Sequence, residues 1–130
     1  MQGRRRQVVV SDKAPRPIGP YSAGIIHGDL VFASGMLGLD PQTGELALGG
    51  IEAETRQSLT NLRAILEAAG SSMSQVVKTT VFLRDMADFP KMNAVYAEFF
   101  SSEPPARSTI QVAALPKAAA VEIEAVAALR

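Results

Sequence analysis

Apolar and polar positions alternate with two different periods along this 130-residue chain, and the changes of period mark its elements. Over Ala120 to Ala128 the period is two. Val121, Ile123, Ala125 and Ala127 share one face of a strand, and Glu122, Glu124, Val126 and Ala128 share the other. Over Ile51 to Ala69 the period becomes helical. Leu59, Leu62, Ile65, Leu66 and Ala69 form one stripe, Gly70 supplies a C-terminal stop, and Glu54, Arg56, Arg63 and Glu67 are assigned to the outer faces. Val76 to Arg84 is apolar or β-branched nearly throughout, which predicts a strand covered on both faces. Asp88 is read as the cap of a second helix running to about Phe100, with Pro90 in its first turn and Phe89, Met92, Tyr96 and Phe99 as its apolar stripe.

Shorter signals complete the pattern. Val8 to Ser11 reads as a first strand. The connector Ala14-Pro15-Arg16-Pro17-Ile18-Gly19-Pro20 is stiff enough to hold the following Tyr21 in one place. Ser22 to Ile26 and Leu30 to Ser34 flank His27-Gly28-Asp29 and read as a hairpin with Gly-Asp in the turn. Glycines from Gly35 to Gly50 punctuate a loop with one short extended piece, and Arg107 to Ala114 reads as the penultimate strand. The order βββαβαββ predicts one α/β (α+β) domain over residues 1–130, with 1–6 as a flexible tail. Its mixed sheet of about six strands would carry two helices on one face. The other face then needs a cover, and self-association is the simplest one.

Composition narrows the chemistry. Thirteen basic and thirteen acidic residues cancel, so nucleic acid and anionic membrane are not expected as partners. Arg4-Arg5-Arg6 is read as a solvated tail, with contact to RNA phosphates as the alternative. No cysteine is present, which excludes thiolate catalysis and thiolate metal sites, and His27 is the single histidine, which excludes a multi-imidazole zinc centre within one chain. His27 itself reads as a turn flank. There is neither a signal-peptide core nor an apolar run of membrane-spanning length, so the cytoplasm is the expected compartment. The glycine-rich loop matches no phosphate-binding fingerprint, and Ser34 lies in no nucleophile elbow.

The segment Pro105-Ala106-Arg107-Ser108-Thr109 is followed by Val121-Glu122-Ile123-Glu124, on what read as neighbouring strands. A guanidinium can hold a carboxylate through two parallel hydrogen bonds, and a glutamate nearby can move a proton or aim a water. Ser34-Gly35, read as a strand end, lets a ligand approach the backbone. Pattern alone leaves two readings open: a site for a small organic acid, or ordinary surface charge.

Several blocks carry a resemblance. They are I-G-P-Y-S from Ile18, A-S-G from Ala33, D-P-x-T-G-E from Asp40, T-R-Q-S-L-x-N-L from Thr55, K-T-T-V-F-L from Lys78, N-A-x-Y-x-x-F-F from Asn93, and P-A-R-S-T-I-Q-V-A-A-L-P-K with V-E-I-E-A-V-A. In this order they resemble the Rid/YjgF family, and most closely its RidA subgroup of enamine/imine deaminases. The resemblance implies a chorismate-mutase-like fold, assembled as a homotrimer with sites between subunits. It implies metal-free hydrolysis of 2-aminoacrylate and related 2-imino acids to 2-keto acids and ammonia, with no cofactor. Arg107 would bind the substrate carboxylate and Glu122 would activate the water. Tyr21 and Ser34 would line the pocket, and the backbone at Gly35 and Thr109 would hold the imine end. Asn93 receives no role. The chain departs from the family at Met36, Pro104 and Thr109, where glutamine, an aromatic residue and cysteine are common. The alternatives are a non-catalytic carboxylate-binding regulator, or an endoribonuclease or chaperone-like role.

Overall fold

The computed structural model describes residues 5–129, so Arg4 of the basic tract lies outside the described residues, while Arg5 and Arg6 are exposed. Six strands and two helices follow the predicted order. The strands are β1 (Gln7–Val9), β2 (Gly24–His27), β3 (Leu30–Leu37), β4 (Val76–Leu83), β5 (Ala106–Gln111) and β6 (Val121–Ala128). Helix α1 spans Ile51–Ala68 and helix α2 spans Phe89–Phe99. No described helix is long and apolar enough to cross a membrane.

The strands form one sheet in the order β1-β2-β3-β6-β4-β5, antiparallel throughout except for the parallel pair β4 and β5. β6 and β5 are therefore not neighbours, as their closeness in sequence suggested. β4 lies between them, because the connection after β4 passes through α2 and returns parallel, which a hairpin cannot do. The β2–β3 hairpin forms as expected. His27 pairs with Leu30 across Gly28-Asp29, and Gly28 takes the positive φ (63°) that such a turn requires.

Both helices pack on one face of the sheet. Leu59, Leu62, Ile65 and Leu66 are fully buried against Val31, Val81, Ile123 and Ala127. Each such aliphatic side chain contributes roughly 2 kcal/mol by leaving water. The opposite face is uncovered: Phe32, Val77 and Ile110 are each about half exposed. The expectation that β4 is covered on both faces therefore fails for the single chain, since its outward residues Thr80 and Phe82 are only half-buried.

Three local expectations are also corrected. Asp88 makes no capping bond. Asp85 caps instead, its Oδ1 accepting from the Ala87 amide at 2.9 Å at the start of a single 3-10 turn that leads into α2. β5 ends at Gln111, not Ala114. Glu54 does not lie on the outer face of α1: it is buried, and its Oε1 accepts a 2.8 Å bond from the Ala120 amide just before β6.

Candidate active site

β3 does not end at Ser34-Gly35 but runs on to Leu37, and these two residues sit mid-strand. Ala33 pairs with Ala125 and Met36 with Ile123, so Ser34 and Gly35 together stand opposite the single residue Glu124. This is a β-bulge, which bends a strand and re-aims its side chains. Here it turns Met36 into the core and keeps Leu37 beside Glu122. Polar residues on the buried stripe of α1 hold this irregular end. Ser58 Oγ donates to the Met36 carbonyl at 2.7 Å, and Asn61 Nδ2 donates to the carbonyls of Leu37 and Leu39 at 3.1 and 2.8 Å. Such groups are needed because an unpaired buried carbonyl costs about 1–3 kcal/mol.

Glu122 projects from β6 on the uncovered face. Tyr21, Ser34, Gly35, Leu37 and Pro116 surround it in a cleft of about 370 Å³. Tyr21 is placed by the proline-rich connector, its hydroxyl accepting from the Ile18 amide, and Ser34 Oγ donates to the Ser22 carbonyl. The Glu122 carboxyl is pushed above the usual carboxylate range, first by burial and then by the like charge of Glu124 on the same face. Gly35 is required there for space. A Cβ on it would stand 2.7 Å from Glu122 Cδ and 2.9 Å from Cγ. Gly35→Ala is therefore expected to fold normally while rotating the Glu122 carboxylate out of place. Any Glu122-dependent turnover should fall by about 10²-fold, and kinetics set beside an unchanged thermal midpoint check this.

Arg107 lies elsewhere. It pairs with Thr79 on β4, which in turn pairs with Ala125, so it points to the helix-covered face. Its guanidinium sits 4.7 Å from the Tyr96 ring centre and 5.5 Å from that of Phe89. Tyr96 is fixed beneath it by a 2.7 Å hydrogen bond shared with Thr79 Oγ1. Burial raises the Tyr96 phenol above its usual range, so it stays neutral beside the arginine. Thr109 shares the face of Arg107, and Asn93 falls between Phe89 and Tyr96 along α2. Thr109 Oγ1 and Asn93 Oδ1 are buried with no hydrogen-bond partner.

The sequence-predicted residues thus fall into two groups. Tyr21, Ser34, Gly35 and Glu122 converge, whereas Arg107 and Thr109 lie two strands away on the opposite face, so the cleft shared by Arg107 and Glu122 does not exist within one chain. Sequence reasoning missed the supporting roles of Glu54, Ser58 and Asn61. Their signal was spacing, since all three fall on the buried stripe of α1.

Comparison with known proteins places this arrangement. The family model for Endoribonuclease L-PSP matches residues 11–129. The chain is 50% identical to Reactive Intermediate Deaminase A, chloroplastic, of Arabidopsis thaliana, over 96% of this chain and 67% of that one. It is 48% identical to the Homo sapiens 2-iminobutanoate/2-iminopropanoate deaminase, over 94% and 89%. The crystal structure of the YjgF gene product from E. coli superposes with a TM-score of 0.91 at 43% identity, covering 95% of this chain and 99% of that one. A match across nearly the whole chain in both sequence and fold means that it belongs to the Endoribonuclease L-PSP family, the Rid/YjgF family that its sequence blocks resemble.

Proposed function

We propose that this protein is an imine deaminase that hydrolyses 2-imino acids and their enamine tautomers to 2-keto acids and ammonia, in sites formed between copies of the chain. The observation that carries the reading is the split site. Within one chain Arg107, with Thr109 and Asn93 near it, and Glu122, with Tyr21, Ser34 and Gly35, lie on opposite faces of one sheet, which suits the first set to binding a carboxylate and the second to handling a proton. A neighbouring copy seated on the uncovered face can bring its Arg107 to this chain's Glu122, and a closed trimer would repeat that contact three times. The names of the Arabidopsis and human relatives support the chemistry.

The geometry suits the reaction. The Arg107 fork takes the substrate carboxylate, the unpartnered Thr109 hydroxyl is free to donate to that carboxylate, and Asn93 Oδ1 is free to accept from an N–H of the bound acid. The iminium carbon is electrophilic, so water needs only a positioned base. Glu122, made more basic by burial, takes the water proton and returns it to the amino nitrogen of the tetrahedral adduct, whose C–N bond then breaks to give the keto acid and ammonia. Neutral net charge makes the endoribonuclease reading the weaker one.

The test mixes two dead proteins. Arg107→Ala and Glu122→Gln chains, each inactive alone in a dehydratase-coupled keto-acid assay, are unfolded together and co-refolded. Random assortment should restore roughly a quarter of wild-type sites. No recovery, with the mixed oligomer present by mass, overturns the shared site. A wild-type protein that does not accelerate keto-acid release overturns the activity.

A further inference from the structure

We infer that buried Glu54 is a positioning residue for Glu122, setting the aim of the base by clamping the backbone at the entrance to β6. The inference rests on the reading of Glu122 as the base. β6 begins at Val121, so Ala120 has no ladder partner of its own, yet it is only 2% exposed. Both its backbone groups are nevertheless held. Its amide donates to Glu54 Oε1 at 2.8 Å, and its carbonyl accepts from the Arg84 amide at 3.0 Å. Glu122 is two residues further on, so any rotation at Ala120 is passed to it along a single repeat of the strand.

The segment before Ala120 makes this clamp necessary. Lys117 and Ala118 take consecutive left-handed conformations, with φ of 58° and 55°, which non-glycine residues adopt only when the surroundings impose it. The turn is held from outside, by an Arg84 guanidinium bond to the Ala118 carbonyl and by Lys117 Nζ reaching the Gly44 carbonyl. It carries Pro116 into the wall of the Glu122 cleft. Strain of this kind would relax by twisting the chain on either side, and Glu54 prevents that on the β6 side.

Glu54 also ties this segment to β3. A Cβ on Gly38 would stand 2.5 Å from the Glu54 carbonyl oxygen, so the backbone just past Leu37 is packed directly on the helix turn that carries Glu54. Ser58 and Asn61, one and two turns on, hold Met36, Leu37 and Leu39. One helix therefore fixes both strands across which Gly35 and Glu122 meet. Glu54 supplies the only side-chain bond in that set that reaches the β6 side.

The experiment separates reach from charge. Glu54→Gln keeps an acceptor oxygen at the same length, whereas Glu54→Asp keeps the charge and withdraws the oxygen by one methylene. With a 2-imino acid, Glu54→Asp should lower kcat by about tenfold or more with little change in KM, and Glu54→Gln should restore it. Glu54→Ala, where it folds, should behave like the aspartate variant. Wild-type kcat in Glu54→Asp, or an equal loss in Glu54→Gln, overturns the inference. An assay-independent readout is the carboxyl titration of Glu122 by carbon-13 NMR, where Glu124 and Tyr21 are the other titratable groups lining the cleft. It should move in Glu54→Asp and return in Glu54→Gln. An unmoved titration in Glu54→Asp overturns the positioning role even if the protein proves not to be a deaminase.

Discussion

Arg107→Ala should lower kcat/KM for a 2-imino acid by on the order of 10²–10⁴-fold while leaving assembly unchanged. Two charge-assisted hydrogen bonds to a carboxylate are each worth about 1.5–3 kcal/mol, and each 1.4 kcal/mol is a factor of ten. The structural loss is smaller. Arg107 stacks on Tyr96 and Phe89, and an exposed contact of that kind is worth about 0.5–1 kcal/mol. The Thr79–Tyr96 hydrogen bond remains to hold the rings. Arg107→Lys is the informative companion. It keeps the charge and loses the planar fork, so it should recover only a small part of the activity. Steady-state keto-acid release beside size-exclusion chromatography checks both. Undiminished turnover in Arg107→Ala would remove the arginine from the site.

Glu122→Gln should cost about 10²–10³-fold in kcat and at the same time raise the thermal midpoint at neutral pH by a few degrees. The two effects share one cause. Within one chain, burial and Glu124 raise the folded-state pKa of Glu122, so the folded chain holds that proton more tightly than the unfolded one does. A neighbouring copy's Arg107 brought to the site would oppose the shift. Below the unfolded value, about 4.3, both states are protonated and the group has no effect on stability. As pH rises through the window up to the raised folded value, stability falls, and above it the penalty is constant. The glutamine variant should therefore be the more stable protein at pH 7, with its advantage vanishing in acid. The acid limb of the wild-type rate profile should lie above the ordinary carboxylate range, and Glu124→Gln should move it down. Calorimetry from pH 3 to 8 and a pH–rate profile test both halves. A midpoint that does not rise at pH 7 would contradict the raised value.

Alternation in β6 put both glutamates on one face, and the α1 stripe was legible because its apolar residues repeat at helical spacing. Three features escaped for physical reasons. The bulge at Ser34-Gly35 breaks the two-residue period, so β3 seemed to stop where it bends. Glu54 looked like a surface charge, because its partner is a backbone amide 66 positions away that no local pattern reveals. Strand order is set by the return path through α2, so adjacency in sequence misplaced β5 beside β6. The site residues themselves came from motif blocks, and what geometry adds is that they cannot meet inside one molecule.

The sheet face that leaves Phe32, Val77 and Ile110 in water has a kinetic consequence. A chain that has completed its own fold still displays an apolar surface of the kind that adheres unselectively. If a second copy covers it, as proposed, the cover takes an encounter between molecules, and maturation after synthesis would slow with dilution even though folding does not. Yield on refolding should then pass through an optimum, since very dilute chains wait too long for a partner and concentrated ones meet before they are folded.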